Sequence, residues 1–159
     1  MRILAGILVL ITLIVGTYVG YCYIGITMEI ESVTSSWKAA VDDLETFNQI
    51  NYQIENGSFS GVRVVEAPLP DPESMSFLTL TVRMRNRGLL PQDWIEIHIE
   101  PKDGDYLFLA QERTPTLAAG TLSDFSTILL TRASVDGSRS LRITYYVLGR
   151  QYQVDYAMP

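Results

Sequence analysis

The sequence contains one cysteine, Cys22, and one histidine, His98. A single cysteine excludes an internal disulfide bond and zinc sites built from several cysteines. One histidine without a second histidine or a neighbouring cysteine offers no metal-ligand set and no paired nucleophile and base. We therefore predict no catalytic residue, no metal and no cofactor, and we expect the fold to depend on its hydrophobic core.

Charged side chains are missing from residues 3–26, which form a long apolar run. A helix with a rise of 1.5 Å per residue needs about 20 such residues to cross a hydrocarbon core about 30 Å thick. A cleaved signal has a shorter apolar run, of about 7 to 15 residues, followed by a small-x-small site, and no such site follows here. We expect residues 1–26 to be an uncleaved transmembrane anchor that contacts lipid through residues 3–26, with late processing as the alternative.

The residues that flank the anchor predict its orientation. Arg2 precedes the apolar run, and Glu29 and Glu31 follow it. Because basic residues favour the cytoplasmic side, we predict a single-pass cell-membrane protein with its amino terminus in the cytoplasm and residues 27–159 outside. Within the anchor, Gly16 and Gly20 form a small-xxx-small pair, a spacing that lets a second helix pack closely.

The outer segment is long enough for one domain and is acidic. It contains all 18 acidic residues and 11 of the 12 basic ones, a net charge of −7. Such a surface repels the phosphates of nucleic acids, so we expect no nucleic-acid partner.

Alternation of apolar and polar residues recurs along the outer segment and is typical of half-buried strands. Turn residues separate these stretches, and no long helical pattern lies between them. The pattern predicts seven or eight strands in an all-β, antiparallel two-sheet sandwich behind one transmembrane helix. The stretches are residues 50–55, 62–64, 77–86, 94–100, 106–110, 125–130, 141–147 and 152–156. Residues 26–31 alternate in the same way and could carry the chain directly from the anchor into a sheet.

Two stretches near the start of the outer segment need separate interpretation. In residues 35–47, either Ser35 or Ser36 caps a short helix, or a strand continues through Trp37 and a loop follows. Asn56-Gly57 is typical of a tight turn, so we predict a hairpin between residues 50–55 and 62–64. Asn56 also begins an Asn-Gly-Ser sequence, which makes it a candidate N-glycosylation site on the exported side.

Arg83, Arg85 and Arg87 recur at period two, which places them on one face of a strand. If residues 77–86 form a hairpin with residues 94–101, Arg83 and Arg85 lie near Glu96 and Trp94, and the charges pair across the strands. If the two strands belong to opposite sheets, the arginines form a stripe that binds an anionic wall or surface polymer. Both interpretations stay open at this point.

Five stretches of the outer segment together carry a family resemblance: MEIESV (28–33), LTLTVRMRN (78–86), WIEIHIE (94–100), TLAAG (116–120) and STILL (126–130). They resemble membrane-anchored group 2 late-embryogenesis-abundant proteins and their prokaryotic WHy-type relatives. The resemblance implies an immunoglobulin-like or fibronectin-like sandwich behind a single anchor, without catalytic residues, and a role in stress tolerance or in binding within the cell envelope. The family often has proline after the asparagine that ends its strand, whereas Arg87 follows Asn86 here.

These observations favour a non-catalytic interaction or structural module of the cell envelope, whose partner is an envelope protein or a surface polymer. The alternative is an accessory subunit of a larger membrane or surface-filament assembly, similar to the sandwich-bearing stator subunits of archaeal motility filaments. A third hypothesis is an envelope carbohydrate-active enzyme, since 18 acidic residues could supply a carboxylate pair.

Overall fold

The computed structural model describes residues 2–23, 26–109, 115–133 and 138–158. An apolar helix, α1 (Arg2–Tyr23), precedes two antiparallel sheets. The larger sheet has the order β1-β3-β6-β5-β2 and the smaller one β4-β7-β8. The strands are β1 (Met28–Ala39), β2 (Gly61–Arg63), β3 (Met75–Asn86), β4 (Asp93–Ile99), β5 (Asp105–Leu109), β6 (Leu122–Arg132), β7 (Ser140–Val147) and β8 (Arg150–Ala157).

The two sheets pack face to face, which confirms the predicted sandwich. Residues at alternate positions of β3 point inwards, as the sequence pattern indicated, and meet the inward residues of β4 and β7. This arrangement removes an almost continuous apolar layer from water. The layer contains Leu78, Leu80, Val82 and Met84 of β3, Leu129 of β6, Ile95 and Ile99 of β4, and Leu141, Ile143, Tyr145 and Val147 of β7.

The predicted hairpin between residues 77–86 and 94–101 is wrong, because β3 and β4 lie in opposite sheets. The side chain of Asn86, at the end of β3, redirects the chain. Its Nδ2 donates to the carbonyl oxygens of Leu90, at 2.8 Å, and Leu117, at 3.1 Å, and its Oδ1 accepts from the N–H of Gly88. These bonds hold the connection across the end of the sandwich, so β4 enters the other sheet.

The second predicted hairpin, from residue 50 to residue 64, is also wrong, because residues 44–55 form a helix. Helix α2 (Leu44–Glu55) begins after Asp43, whose carboxylate accepts from the N–H of Thr46. It ends where the N–H of Gly57 bonds to Ile54 and that of Ser58 bonds to Gln53. These two bonds make a Schellman motif, and Gly57 has the φ of +67° that the motif requires. Asn56-Gly57 therefore stops a helix instead of turning a hairpin.

Residues 35–47 follow neither interpretation fully. β1 continues through Trp37 to Ala39, so Ser35 and Ser36 lie in a strand and cap no helix. A 3₁₀ turn at Ala40–Asp43 then leads directly into α2, where the alternative placed a loop. The strand part of that alternative is correct.

Helix α2 covers one half of the outer face of the larger sheet. Phe47 and Ile50 are buried in a second apolar cluster that includes Phe77 of β3 and Leu130 of β6. The first four residues of β3 are therefore buried on both faces of the sheet, by β4 and β7 on one side and by α2 on the other. The remaining half of this outer face, towards the start of β1, is not covered by the helix.

A buried ion pair closes the end of the sandwich that lies far from the start of β1. The side chains of Arg139 and Asp105 are both fully buried, and Arg139 Nη2 donates to Asp105 Oδ1 at 2.8 Å. The second oxygen of Asp105 accepts from the N–H of Lys102 at 2.9 Å. Replacing Arg139 with a neutral residue would leave the buried Asp105 carboxylate without this ion pair, which is strongly destabilising.

Leu80→Ala should lower the free energy of unfolding by about 2 to 5 kcal/mol, because Leu80 is fully buried between the sheets and its removal leaves a cavity. Leu44→Ala is the matched control, since Leu44 is 46% exposed at the start of α2, and it should cost less than about 1 kcal/mol. Chemical denaturation of the two variants in detergent measures the difference. Equal losses would contradict the assignment of this core.

Candidate functional site

The predicted arginine stripe lies on the uncovered half of the outer face of the larger sheet, and each arginine is salt-bridged. Arg83 makes two bonds to Asp124 of β6, from Nε at 2.8 Å and from Nη2 at 3.0 Å. On the other side of β3, Arg85 pairs with Glu31 and Arg87 pairs with Glu29, both of β1. The predicted partners Glu96 and Trp94 are wrong, because β4 lies in the other sheet.

The electrostatics of this half-face follow from the pairing. Hydrogen bonds from Arg83 lower the pKa of the Asp124 carboxyl below its usual range, against a smaller opposing effect of desolvation. The hydrogen bond to Asp124 in turn raises the pKa of Arg83, and the bond to Glu29 raises that of Arg87. Three cations thus face three anions. An anionic polymer would have to displace a carboxylate from each arginine, so binding by this stripe stays a prediction that the geometry does not favour.

A buried polar cluster holds the chain where it enters the sandwich after α1. The hydroxyl of Tyr145, in β7, donates to the carbonyl oxygen of Ile26 and accepts from the N–H of Met28, each at 3.1 Å. The side-chain amide of Gln92, also fully buried, donates to the same Ile26 oxygen at 2.9 Å. Two residues, 24 and 25, are therefore all that separate the end of α1 from a fixed point in the core.

The chemistry of Tyr145 suits this position. Its ring is almost fully buried and stacks on Tyr152 of β8, with a distance of 5.7 Å between ring centroids. Burial raises the pKa of the Tyr145 hydroxyl above its usual value, although the Met28 N–H opposes the effect. The hydroxyl therefore keeps its proton and can donate to Ile26 while it accepts from Met28.

The outer face of the smaller sheet carries an open cleft of about 390 Å³. His98, Arg142 and Asp155 line it side by side, because they are register partners on β4, β7 and β8. Ser140 also lines it, so a serine, a histidine and an aspartate share one cleft.

The cleft does not arrange these three side chains as a catalytic triad. Asp155 accepts from Arg142 Nε at 3.0 Å and from Gln153, and these bonds lower its pKa, with Arg142 as the main cause. Among the hydrogen bonds of the described residues, none joins His98 to Asp155 or to Ser140. The base of a triad needs both bonds. The cleft was not predicted from the sequence, because the residues that line it are far apart along the chain.

The other predicted sites lie apart from these surfaces. Asn56 is exposed at the end of α2, and its Nδ2 donates to the carbonyl oxygen of Tyr52 at 2.8 Å, so glycosylation would require release of this bond. Gly16 and Gly20 lie in α1 with open space around them, which a second helix could occupy. The ranges that the structure describes contain no group of three or more His, Cys, Asp or Glu side chains that could hold a metal ion.

The sequence matches no known protein family and no curated protein significantly.

Tyr145→Phe should lower the free energy of unfolding by about 1 to 3 kcal/mol, because it leaves the buried Met28 N–H without its acceptor. Tyr146→Phe is the matched control on the next residue. The Tyr146 hydroxyl bonds to Gln151 on the exposed face, so its loss should cost less than about 0.5 kcal/mol. Thermal unfolding of both variants tests this, and equal stability of the two would contradict the role of the cluster.

Proposed function

We propose that this chain is a single-pass membrane protein whose sandwich lies outside the cytoplasm and acts as a non-catalytic interaction or structural module of the cell envelope. The helix α1 supports the proposal, since Ile3–Tyr21 is long and apolar enough to cross a bilayer, with a mean hydropathy of 2.4. None of this segment is buried against the sandwich. Arg2 before the helix and the two glutamates after it support the orientation.

The open edge of β1 is the observation that carries an interaction role. β1 has 12 residues and pairs only with β3 among the described strands, so its other edge presents unpaired N–H and C=O groups. Such an edge can accept a strand from another protein. Proteins usually protect edge strands with charged residues, but the middle of β1, SVTSS at residues 32–36, has none.

The position of this edge favours a protein partner over an anionic polymer. β1 begins five residues after α1 ends, so a second envelope protein in the same membrane could present a strand to it. The arginine stripe, which would attract an anionic polymer, is already paired with carboxylates. We therefore propose an envelope protein as the partner.

The strand order supports an immunoglobulin-like classification. With β2 set aside, β1-β3-β6-β5 faces β4-β7-β8. Taken in chain order as strands A to G, this is ABED facing CFG, the arrangement of constant-type immunoglobulin domains. It agrees with the sandwich that the resemblance to membrane-anchored group 2 late-embryogenesis-abundant proteins implies, and membership of that group stays part of this proposal.

The second candidate, an accessory subunit of a larger membrane or surface-filament assembly, is favoured by the same open edge, because strand addition joins subunits directly. The two candidates differ in stoichiometry. A subunit should purify from native membranes in mild detergent with a partner at a fixed ratio, whereas a free-standing module should exchange its partner and purify alone.

Thr34→Lys combined with Ser36→Lys should abolish copurification of the strand partner, because lysine on an edge strand opposes the addition of another strand. Both positions are exposed, so the sandwich should remain folded. Ser60→Lys with Thr116→Lys is the matched control, since it adds the same charges at exposed positions outside the sheets. If both double variants retain the partner, or if neither does, β1 is not the binding edge.

The orientation can be tested with a single cysteine at an exposed position, Ser60→Cys, in a chain that also carries Cys22→Ser. A membrane-impermeant maleimide should label this cysteine in intact cells, because Arg2 before the helix favours a cytoplasmic amino terminus and thus a sandwich outside. Labelling only after lysis would mean that the sandwich faces the cytoplasm, and the proposed envelope role would then fail.

A further inference from the structure

Two exposed apolar residues adopt a backbone conformation that suits neither of them. Among the described residues, Trp94, with φ of +53°, and Leu148, with φ of +50°, are the non-glycine residues with positive φ. Their exposed fractions are 62% and 69%. The left-handed region is unfavourable for bulky side chains and is tolerated best by glycine, asparagine and aspartate.

Leu148 shows the conflict most clearly. Leu148 and Gly149 both have positive φ and form the two-residue turn between β7 and β8. Such turns strongly favour asparagine or aspartate before the glycine. A leucine there gains no burial to offset the unfavourable backbone, so neither turn chemistry nor core packing explains it. Local strain of this kind concentrates at functional sites.

Both residues lie at the end of the sandwich where the chain arrives from α1. Trp94 is two residues beyond Gln92 and Leu148 is three residues beyond Tyr145, and the side chains of Gln92 and Tyr145 both bond to Ile26. Leu89, 50% exposed, lies at the same end, because the next residue, Leu90, accepts a hydrogen bond from Asn86, which pairs with Met28 at the start of β1. We name Leu89, Trp94 and Leu148 the apolar rim.

The chain length fixes how far this end can be from the membrane. Whatever path residues 24 and 25 take, the three steps from Tyr23 to Ile26 span at most about 11 Å. The headgroup layer on one side of a bilayer is about 5 to 8 Å thick, which follows from a core of about 30 Å within a total of about 40 to 45 Å. If α1 spans the bilayer, the end of the sandwich that contains Ile26 must therefore lie at or in the headgroup layer.

We propose that the apolar rim inserts into the headgroup layer of the membrane that α1 spans, and holds the sandwich in one orientation on the lipid surface. This inference rests on the proposed membrane-spanning function and adds a second contact to it. The attraction is apolar, because a sandwich of net charge −7 gains nothing from anionic lipid. Tryptophan suits the position, since its amphipathic ring favours the headgroup level.

The chain contains two tryptophans, and they provide a probe and its control. Trp37 lies nine residues after Met28 along β1, about 30 Å from the start of the strand at 3.3 Å per residue. Trp37→Phe leaves Trp94 as the reporter, and Trp94→Phe leaves Trp37. The full-length variants are reconstituted into phosphatidylcholine vesicles that contain a lipid with a nitroxide on its headgroup.

We expect at least about threefold stronger quenching of Trp94 than of Trp37, because only Trp94 lies at headgroup depth. Similar weak quenching of both residues, in chains that float with the vesicles, would overturn the docking while leaving the anchor intact. Chains that do not float with the vesicles would overturn the proposed membrane-spanning function and the docking together.

A charge in the rim gives a second test. Leu148→Asp, combined with Trp37→Phe, should reduce the quenching of Trp94 at least about twofold, because a carboxylate resists insertion among lipids. Aspartate suits this turn, so the fold should be retained. Leu44→Asp, also combined with Trp37→Phe, is the matched control, since Leu44 is exposed on α2. This control should leave the quenching of Trp94 unchanged. Equal quenching in both aspartate variants would overturn the role of Leu148 in the rim.

Discussion

The hydroxyl of Tyr145 is the contact on which the arrangement of the protein depends. A chain that leaves a long apolar helix and passes at once into a domain core brings backbone polar groups with it, and each of them needs a partner. Tyr145 supplies an acceptor for Met28 and a donor for Ile26, and Gln92 supplies a second donor. Only residues 24 and 25 therefore stand between the end of α1 and a point that is held in the core of the sandwich.

The outer face of the larger sheet has an apolar half and a charged half. Half of it is apolar and is covered by α2, which extends the core beyond the two sheets. The other half is charged, and its arginines and carboxylates neutralise one another across β1, β3 and β6. Exposed pairs of this kind contribute little to stability because water screens them, so they keep the face hydrophilic more than they stabilise it.

The sequence predicted most strands, because alternation in β3 and β7 is regular and one face of each is buried. It failed at residues 50–55, where Ile50, Tyr52 and Ile54 alternate as in a strand. Phe47, Ile50 and Ile54 equally follow the 3.6-residue period of a helix, and only tertiary packing decides between the two. Asn56-Gly57 did not help, since the same residues suit a hairpin and a helix end.

Side-chain partners that come from other strands could not be predicted from local sequence patterns. The shared face of Arg83 and Arg85 followed from their spacing, but their carboxylate partners depend on which strands are neighbours. Tyr145 and Gln92 were missed altogether. A tyrosine among the inward positions of an apolar strand, at residues 141, 143, 145 and 147, was the available signal, because a buried hydroxyl needs a hydrogen-bond partner.

The antiparallel pairing of β1 with β3 has a mechanical consequence. β1 is the first strand after α1, so under the proposed anchoring a force on α1 enters the sandwich through β1, whose pairing with β3 extends from Met28 to Ala39. Hydrogen bonds of an antiparallel ladder lie perpendicular to the strands. A pull directed along β1 therefore shears the whole ladder at once instead of opening it bond by bond, so the attachment resists load collectively.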